Sequence, residues 1–350
     1  MKELEINSNE AGQRFDKYLK KYLSKAPGSF IYKMLRKKNI VLNQKKADGS
    51  EHLLAGDRVR LFLSDETIEK FTGEAFDHAG KEDRRSVLSL TGDHGAPVHP
   101  EVIYEDSQVV FFNKPSGILS QKASRTDVSM AEYVVAYLLE GGQITEAQLQ
   151  TFRPSVCNRL DRNTSGIICA GKTLAGLQGL SQLFRSRTLK KYYLCIVKGQ
   201  VGQKAYVKGY LKKDSASNKV SILQDRQDEA CIPIETEYMP VASNRQATLL
   251  KVHLITGRTH QIRAHLASLG HSILGDYKYG DSQFNEIYRK RYQIRAQLLH
   301  AYELRMPASG SPLEEILGKT VTAKVPPVFW KVIKETAWEH GIQEALGVLH

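Results

Sequence analysis

The stretch Cys157-Asn158-Arg159-Leu160-Asp161-Arg162-Asn163-Thr164-Ser165-Gly166-Ile167 sets one carboxylate between two arginines in a polar loop. It then runs into Ile167-Ile168-Cys169-Ala170, a short apolar segment that suits a buried strand. Thr164, Ser165 and Gly166 are residues that turn a backbone tightly and satisfy its orphan groups. Flanking positive charge favours the ionised form of Asp161 even where water is partly excluded. An ionised, oriented carboxylate on a loop can serve as nucleophile or base. The same pattern also suits a structural Asp–Arg ion pair that closes a loop.

Working outward, the stretches Val102–Glu105 and Val109–Asn113 flank Asp106-Ser107-Gln108, which suggests a hairpin. Met130–Leu139 is apolar enough for a helix. Tyr192–Val197 and Leu249–Leu254 read as strands, with Leu250, Val252 and Leu254 on one face. Thr256–His265 reads as a strand end, a turn at Gly257 and a helix capped by Thr259. Ile262, Leu266 and Leu269 then face the core, and Gly270 ends the helix. Arg263 is thereby presented from a rigid element. Strands and helices do not alternate regularly here. An α+β class with a mixed, mainly antiparallel sheet is therefore expected rather than a doubly wound fold.

The chain has 350 residues, which suits two domains, one small and one large. Its formal net charge is +12, and residues 1–64 hold fourteen Lys+Arg against seven Asp+Glu. More than half of the excess thus sits in less than a fifth of the chain. That bias fits a polyanionic partner or simply a solvated basic surface. Phe15, Leu19, Tyr22 and Leu23 are spaced as one helical face, and Pro27-Gly28 breaks the chain. A second helix follows, with Ser29 as its expected N-cap, Ile31, Met34 and Leu35 apolar, and Lys33, Arg36, Lys37 and Lys38 basic. Ile40–Asn43 and Arg58–Leu63 read as strands. The expected division is a basic unit at 1–64, a linker at 65–98 with one strand at Ser86–Leu90, and a large domain at 99–350.

The four cysteines form no C-x-x-C pair and read as reduced thiols. No apolar run is long enough for a membrane span, and no secretory signal is visible. A cytoplasmic location is the default expectation. No P-loop and no G-x-G-x-x-G after a strand occurs. His260 and His265 lack the carboxylate of an H-E-x-x-H site, and no His/Cys set has zinc spacing. No metal and no cofactor are expected. His260 is expected to order its loop.

RLDRNTSG at 159–166, with Gly171-Lys172 five residues on, resembles the signature of the RluA-type pseudouridine synthases, whose usual form is HRLDRDTSG. Asn158 stands where that family usually has His, and Asn163 where it often has Asp. Three further stretches resemble the family in the expected order. They are Ile103–Asp106 with the Asn113-Lys114-Pro115-Ser116-Gly117 turn, Lys191–Gly199, and Thr256–His265. His271, Gly275-Asp276-Tyr277-Lys278-Tyr279-Gly280 and Leu299-His300-Ala301-Tyr302 continue the pattern. The resemblance implies that Asp161 is the catalytic carboxylate, that Tyr193 packs against the target base and that Arg263 pairs with the aspartate. Arg159, Arg162, Arg258, His260 and Gln261 are expected to contact RNA, while Lys114 could touch RNA or pair internally.

The run RFDKYL…SFIYKMLRKKNIVLN…LLAGDRVRL resembles the small RNA-binding domain named after ribosomal protein S-four. That resemblance implies that Lys33, Arg36, Lys37 and Lys38 face phosphates. The implied fold is the pseudouridine synthase fold behind an RNA-binding domain. The implied activity is isomerisation of chosen uridines in structured RNA, most like the RluC and RluD branches that act on large-subunit (23S) ribosomal RNA. A monomer is expected. Two rivals are an RNA-binding or assembly factor that keeps the fold without activity and a metal-dependent RNA hydrolase. The hydrolase lacks the additional carboxylates of a two-metal site.

Overall fold

Pro27 fixes where the second helix begins, and the first sixty-odd residues fold around that break. The computed structural model describes every residue apart from 73–87, 89, 92–96, 125–126, 215–218 and 349–350. The elements of the first unit are β1 (Lys2–Glu5), α1 (Phe15–Tyr22), α2 (Gly28–Arg36), β2 (Ile40–Leu42), β3 (Lys45–Lys46) and β4 (Arg58–Leu61). The strands form one sheet in the order β1-β4-β2-β3. Phe15, Leu19, Leu23, Ile31 and Leu35 are buried against it, as the helical spacing requires. Ser29 is not the cap of α2. Pro27 occupies the N-cap position with φ near −58°, already set for a helix start, and Ser29 lies inside the first turn.

The segment after residue 64 opens with α3 (Asp65–Phe71), capped by Ser64, whose hydroxyl accepts from Thr67 N. Ile68 joins the first core, and Phe71 packs on Phe30 with ring centres 4.6 Å apart. The strand expected at Ser86–Leu90 lies, apart from Leu88 and Leu90, outside the described residues. Leu90 belongs to β5 (Leu90–Thr91), which pairs with β6 (Pro97–Val98). The first unit also touches the second: buried Glu10 accepts from Thr151 Oγ1, and Leu174 N donates to Asn9 O at 3.3 Å.

The second unit is one large sheet flanked by helices. Its first strands and helices are β7 (Glu101–Glu105), β8 (Val109–Lys114), α4 (Met130–Glu140), α5 (Glu146–Leu149), β9 (Ser155–Val156), β10 (Ser165–Gly171) and α6 (Leu174–Ser186). Then follow β11 (Lys190–Lys198), β12 (Ala205–Asp214), β13 (Lys219–Leu223), β14 (Ile232–Ser243), β15 (Ala247–Leu254) and α7 (Gln261–Ser268). The chain ends with α8 (Ser282–Tyr292), β16 (Leu299–Arg305), β17 (Thr320–Thr322), α9 (Pro327–Glu335) and α10 (Ile342–Gly347). The eleven-stranded sheet runs β13-β12-β14-β15-β11-β16-β10-β8-β7, with β17 on β16 and β9 on β10. Among the described residues its pairs are antiparallel except β10 with β16. The mixed, mainly antiparallel sheet of the expected α+β fold is therefore present.

The parallel pair lies in the middle of the sheet and sets the stage for the site. β10 is buried along its whole length. Gly166 adopts φ +106°, and a Cβ there would sit 2.2 Å from the Ala301 carbonyl oxygen. Only glycine lets the end of the 157–166 loop press against β16 in this way. One strand further, the β11–β16 ladder slips between Tyr192 and Tyr193. Such a bulge re-aims the side chains that follow it.

Candidate active site

The backbone around Asp161 is fixed by a neighbouring turn. Ser120 Oγ donates to Leu160 O and accepts from Leu160 N, each at 2.9 Å. Arg162 O accepts from Lys114 Nζ at 2.9 Å and from Gly117 N at 3.0 Å. Asn163 O accepts from Ser116 Oγ at 3.0 Å. Lys114 has no exposed surface, and its ammonium also donates to Pro115 O and Ile118 O. Of its two sequence readings, internal pairing is the one realised. Asn158 secures the other flank, donating to Ile167 O and accepting from Cys169 N. Behind Ser165, His300 completes the support. His300 Nε2 lies 3.0 Å from Ala323 O, a pure acceptor, so that nitrogen carries the proton and Nδ1 accepts from Ser165 Oγ at 2.9 Å. Complete burial pushes its pKa down to about 4, so the ring is neutral near pH 7.

Arg263 reaches Asp161 from α7. Its Nη1 donates to Asp161 Oδ2 at 2.9 Å. The same guanidinium makes a fork onto Asp276, with Nε to Oδ2 at 2.7 Å and Nη2 to Oδ1 at 2.9 Å. Asp276 is 1% exposed and Arg263 7% exposed, whereas the Asp161 side chain keeps 24% of its surface. The buried acid therefore anchors the arginine, and the arginine presents one remaining face to the accessible acid. Burial alone would raise the pKa of Asp276. The Arg263 hydrogen bonds and charge, with the backbone N–H groups of Lys278 and Tyr279, more than reverse this and hold it below the usual aspartate value. Burial opposes the charge on Arg263, but Asp276 and Asp161 together raise its pKa above the ordinary arginine value. Tyr279 stacks its ring 5.2 Å from the guanidinium carbon.

His260 closes the cluster. It takes a left-handed conformation, φ 55°, and is itself the N-cap of α7, so Thr259 is not the cap. His tolerates this region better than Thr, whose branched Cβ disfavours it. Its Nδ1 lies 2.9 Å from Tyr279 Oη and its Nε2 3.9 Å from Asp161 Oδ2. Burial lowers its pKa against the pull of Asp161, so it is neutral near pH 7. Tyr193 lies on the same side of the sheet, in a buried cluster with Leu160, Val252, Leu254 and Ile262. Burial and the nearby Asp161 carboxylate raise its phenol pKa, so the ring stays neutral.

The structure brings together Asp161, Arg263, Tyr193 and His260 and sorts the rest. Arg159 and Arg162 are exposed, and the partner of Asp161 is Arg263 rather than either flanking arginine. Arg258 is exposed at the mouth of the same turn. Gln261 is a correction. It is 2% exposed, and its amide is consumed by Thr256, Arg258 N, Glu235 O and Thr236, so it builds the turn instead of facing RNA. Lys33, Arg36, Lys37 and Lys38 are exposed, and none is in an ion pair with an acid among the described residues. The residue whose role sequence reasoning missed is Asp276. Its signal in the sequence was its place in the Gly275–Gly280 stretch that continues the family resemblance; in the structure a Cβ on Gly275 would sit 2.3 Å from Ala296 O, so that turn is crowded.

A basic unit thus stands beside a sheet whose arginine grips one sealed and one accessible carboxylate. Residues 108–268 match the family described as RNA pseudouridylate synthase. The ribosomal large subunit pseudouridine synthase C of Vibrio vulnificus is 31% identical over 314 residues, 89% of this chain and 90% of that one. The protein of the same name from Pasteurella multocida is 31% identical over 95% of this chain and 93% of its own. The solved structure of human RNA pseudouridylate synthase domain containing 4 aligns with TM-score 0.51 at 20% identity, over 71% of this chain and 92% of that one, a likeness of fold. The chain belongs to the RluA family of RNA pseudouridine synthases.

Proposed function

We propose that this chain, acting as a single copy in the cytoplasm, converts particular uridines of large-subunit ribosomal RNA to pseudouridine, with Asp161 as the catalytic carboxylate. The choice of RNA rests on the relatives named for the ribosomal large subunit, which match along nearly the whole chain. The reaction breaks the bond between uracil N1 and ribose C1′, turns the base and joins C5 to C1′. The hydrogen on C5 leaves as a proton and N1 gains one, so atoms balance without oxidant or cofactor.

The observation that carries the proposal is the asymmetry of the acid pair bridged by Arg263. Asp276 is sealed and spends its oxygens on the arginine and two backbone N–H groups, whereas the Asp161 side chain is held by one hydrogen bond among the described residues and remains accessible. A group fixed but not consumed is suited to act on a substrate. The target uridine must leave its stack to reach it. Tyr193 offers an aromatic face for that base, an interaction worth about 1–3 kcal/mol. The exposed cations Arg159, Arg162 and Arg258 supply phosphate contacts at the rim, and those of residues 33–38 anchor the structured RNA at a distance.

Asp161→Asn is expected to abolish pseudouridine formation while RNA affinity changes by less than about twofold. Asparagine keeps the shape but removes the nucleophilic charge. Carbodiimide mapping of ribosomal RNA from cells carrying only the variant checks this. Retained modification would overturn the assignment of Asp161, and a null strain with an unchanged map would overturn the choice of RNA.

A further inference from the structure

A cavity lies beside the loop that carries Asp161, and its lining includes neither Asp161, Tyr193 nor Arg263. Its volume is about 210 Å³. One wall is Asn163 with Ser116, at the far end of the loop that carries Asp161. The opposite wall is the 292–299 segment, and Val328 and Phe329 of α9 form an apolar side. The 292–299 segment is shared with the active site on its other surface. Ile294 and Ala296 pack against Gly275, and Ile294 O accepts from Tyr277 Oη at 2.9 Å, immediately beside Asp276.

The cavity is polar where it meets the loop, and one of its amides is unspent. The Asn163 side-chain amide has no partner among the described residues; only its backbone oxygen is used, by Ser116. Gln297 is 6% exposed and donates its amide N–H to Thr164 Oγ1, which leaves its side-chain oxygen without a donor among the described residues. Arg295 is exposed at the mouth and has no acidic partner among the described residues. Pockets that enclose whole drug-sized ligands measure about 300–1,000 Å³. At about 210 Å³ this cavity is smaller than those and matches a group smaller than a whole drug-sized ligand.

We infer that this cavity is a subsite for an unpaired RNA base next to the target uridine, with the amides of Asn163 and Gln297 reading its polar edge and Arg295 taking its phosphate. The inference rests on the RNA substrate proposed above. Extruding a uridine leaves its neighbours unstacked, and a loop that carries the carboxylate at 161 and an amide at 163 can hold two adjacent bases. Splayed bases read on their polar edges are the usual currency of sequence-specific RNA recognition. Asn163 is also a position where this chain departs from the common family residue, so its amide is a place where target preference can differ.

The test is single-turnover conversion of a large-subunit ribosomal RNA transcript at rising concentrations of the full-length protein. Asn163→Ala, Arg295→Ala and the cavity-filling Val328→Trp are compared with wild type. The half-saturating concentration should rise by between about fivefold and a hundredfold for Asn163→Ala and Val328→Trp, the range of one lost base contact. The saturating rate should change by less than about threefold. An abasic nucleotide beside the target should impose the same penalty on wild type and add nothing to Val328→Trp. Half-saturation unchanged in Asn163→Ala and Arg295→Ala, or abasic and variant penalties that multiply, would overturn the inference while leaving the enzyme's assignment intact. A fall in saturating rate alone would also overturn it, showing that the cavity only shapes the loop. A wild-type protein that converts no uridine in the transcript would sink the RNA assignment and this inference together.

Discussion

Arg263 and the cations of residues 33–38 carry the same charge, yet the chain treats them in opposite ways. Arg263 is nearly sealed, forked onto Asp276, stacked on Tyr279 and aimed at Asp161. Lys33, Arg36, Lys37 and Lys38 stand in water at the end of α2 without an acidic partner among the described residues. The buried cation cannot be screened or moved, so it controls geometry at the cost of desolvation. The exposed cations are screened within about 10 Å at ordinary salt and hold only the sum of their attractions. One arrangement positions a reacting group, and the other concentrates a polyanion. The two should therefore fail under different stresses, the first under mutation and acid, the second under salt.

The largest effect is expected from Asp276→Ala. It strips the buried guanidinium of two hydrogen bonds and leaves only the more exposed Asp161 to balance its charge, a loss of about 3 kcal/mol in stability. Asp276→Asn keeps the volume and one acceptor. It should leave a folded protein whose modification rate falls by at least about a hundredfold, because Arg263 loses the fork that sets its direction. Thermal unfolding of both variants and single-turnover rates of the second check this. A normal rate in Asp276→Asn would show that Arg263 needs no anchor, and the contrast with the exposed cations would vanish.

Acid should break the same region at His300. Its folded pKa is pushed down to about 4 by burial, below an unfolded value of about 6.5. The unfolded chain then binds the proton first, so this stability is fully present above about pH 6.5 and is lost as pH falls toward 4. A shift of that size corresponds to about 3 kcal/mol. Asp276, also depressed, adds loss at still lower pH, as pH falls below the unfolded aspartate value and through its own folded pKa. His300→Gln, which keeps a donor and an acceptor for Ala323 O and Ser165, should be less stable at pH 7.5 and should flatten the melting-temperature profile between pH 7.5 and 5. An unchanged slope in the variant would assign the acid sensitivity elsewhere.

Much of this contrast was legible along the chain, and the missing part has a physical cause. The strands expected at 102–105, 109–113, 167–170, 192–197 and 249–254 followed from local patterning and lie within observed strands, and the buried faces of α1 and α2 followed likewise. The pairing of Asp161 with Arg263 spans 102 residues and was legible only through family resemblance. Local proximity pointed instead to Arg159 and Arg162, which the fold turns to solvent. Gln261 looked like a polar group for RNA, but Glu235 and Thr236 from β14 claim its amide. The caps expected at Ser29 and Thr259 lost to backbone geometry, set by Pro27 in one case and by left-handed His260 in the other. Each miss is a place where a residue from another strand or turn decided what a local rule could not.

The smallest effect should come from the exposed cations. Lys33 and Lys37 lie one helical turn apart at the end of α2, where the helix dipole also favours positive charge. If they meet phosphates, each removes one released counterion from the binding equilibrium when it is lost. For Lys33→Ala with Lys37→Ala, the slope of log affinity against log salt should become shallower by about 1.5, the sum expected for two contacts at roughly 0.7–0.9 each. RNA affinity near 0.1 M salt should drop about three- to thirtyfold. The single-turnover rate at saturating RNA should stay within about twofold of wild type, since the grip of Asp276 on Arg263 is untouched. Filter binding across a salt series and saturating-rate measurements on the same RNA separate the two readouts. A shallower slope with an unchanged rate keeps the two kinds of cation distinct. A steady slope would mean that these lysines serve only to solvate α2, and that the exposed side of the comparison belongs instead to Arg159, Arg162 and Arg258 at the cleft.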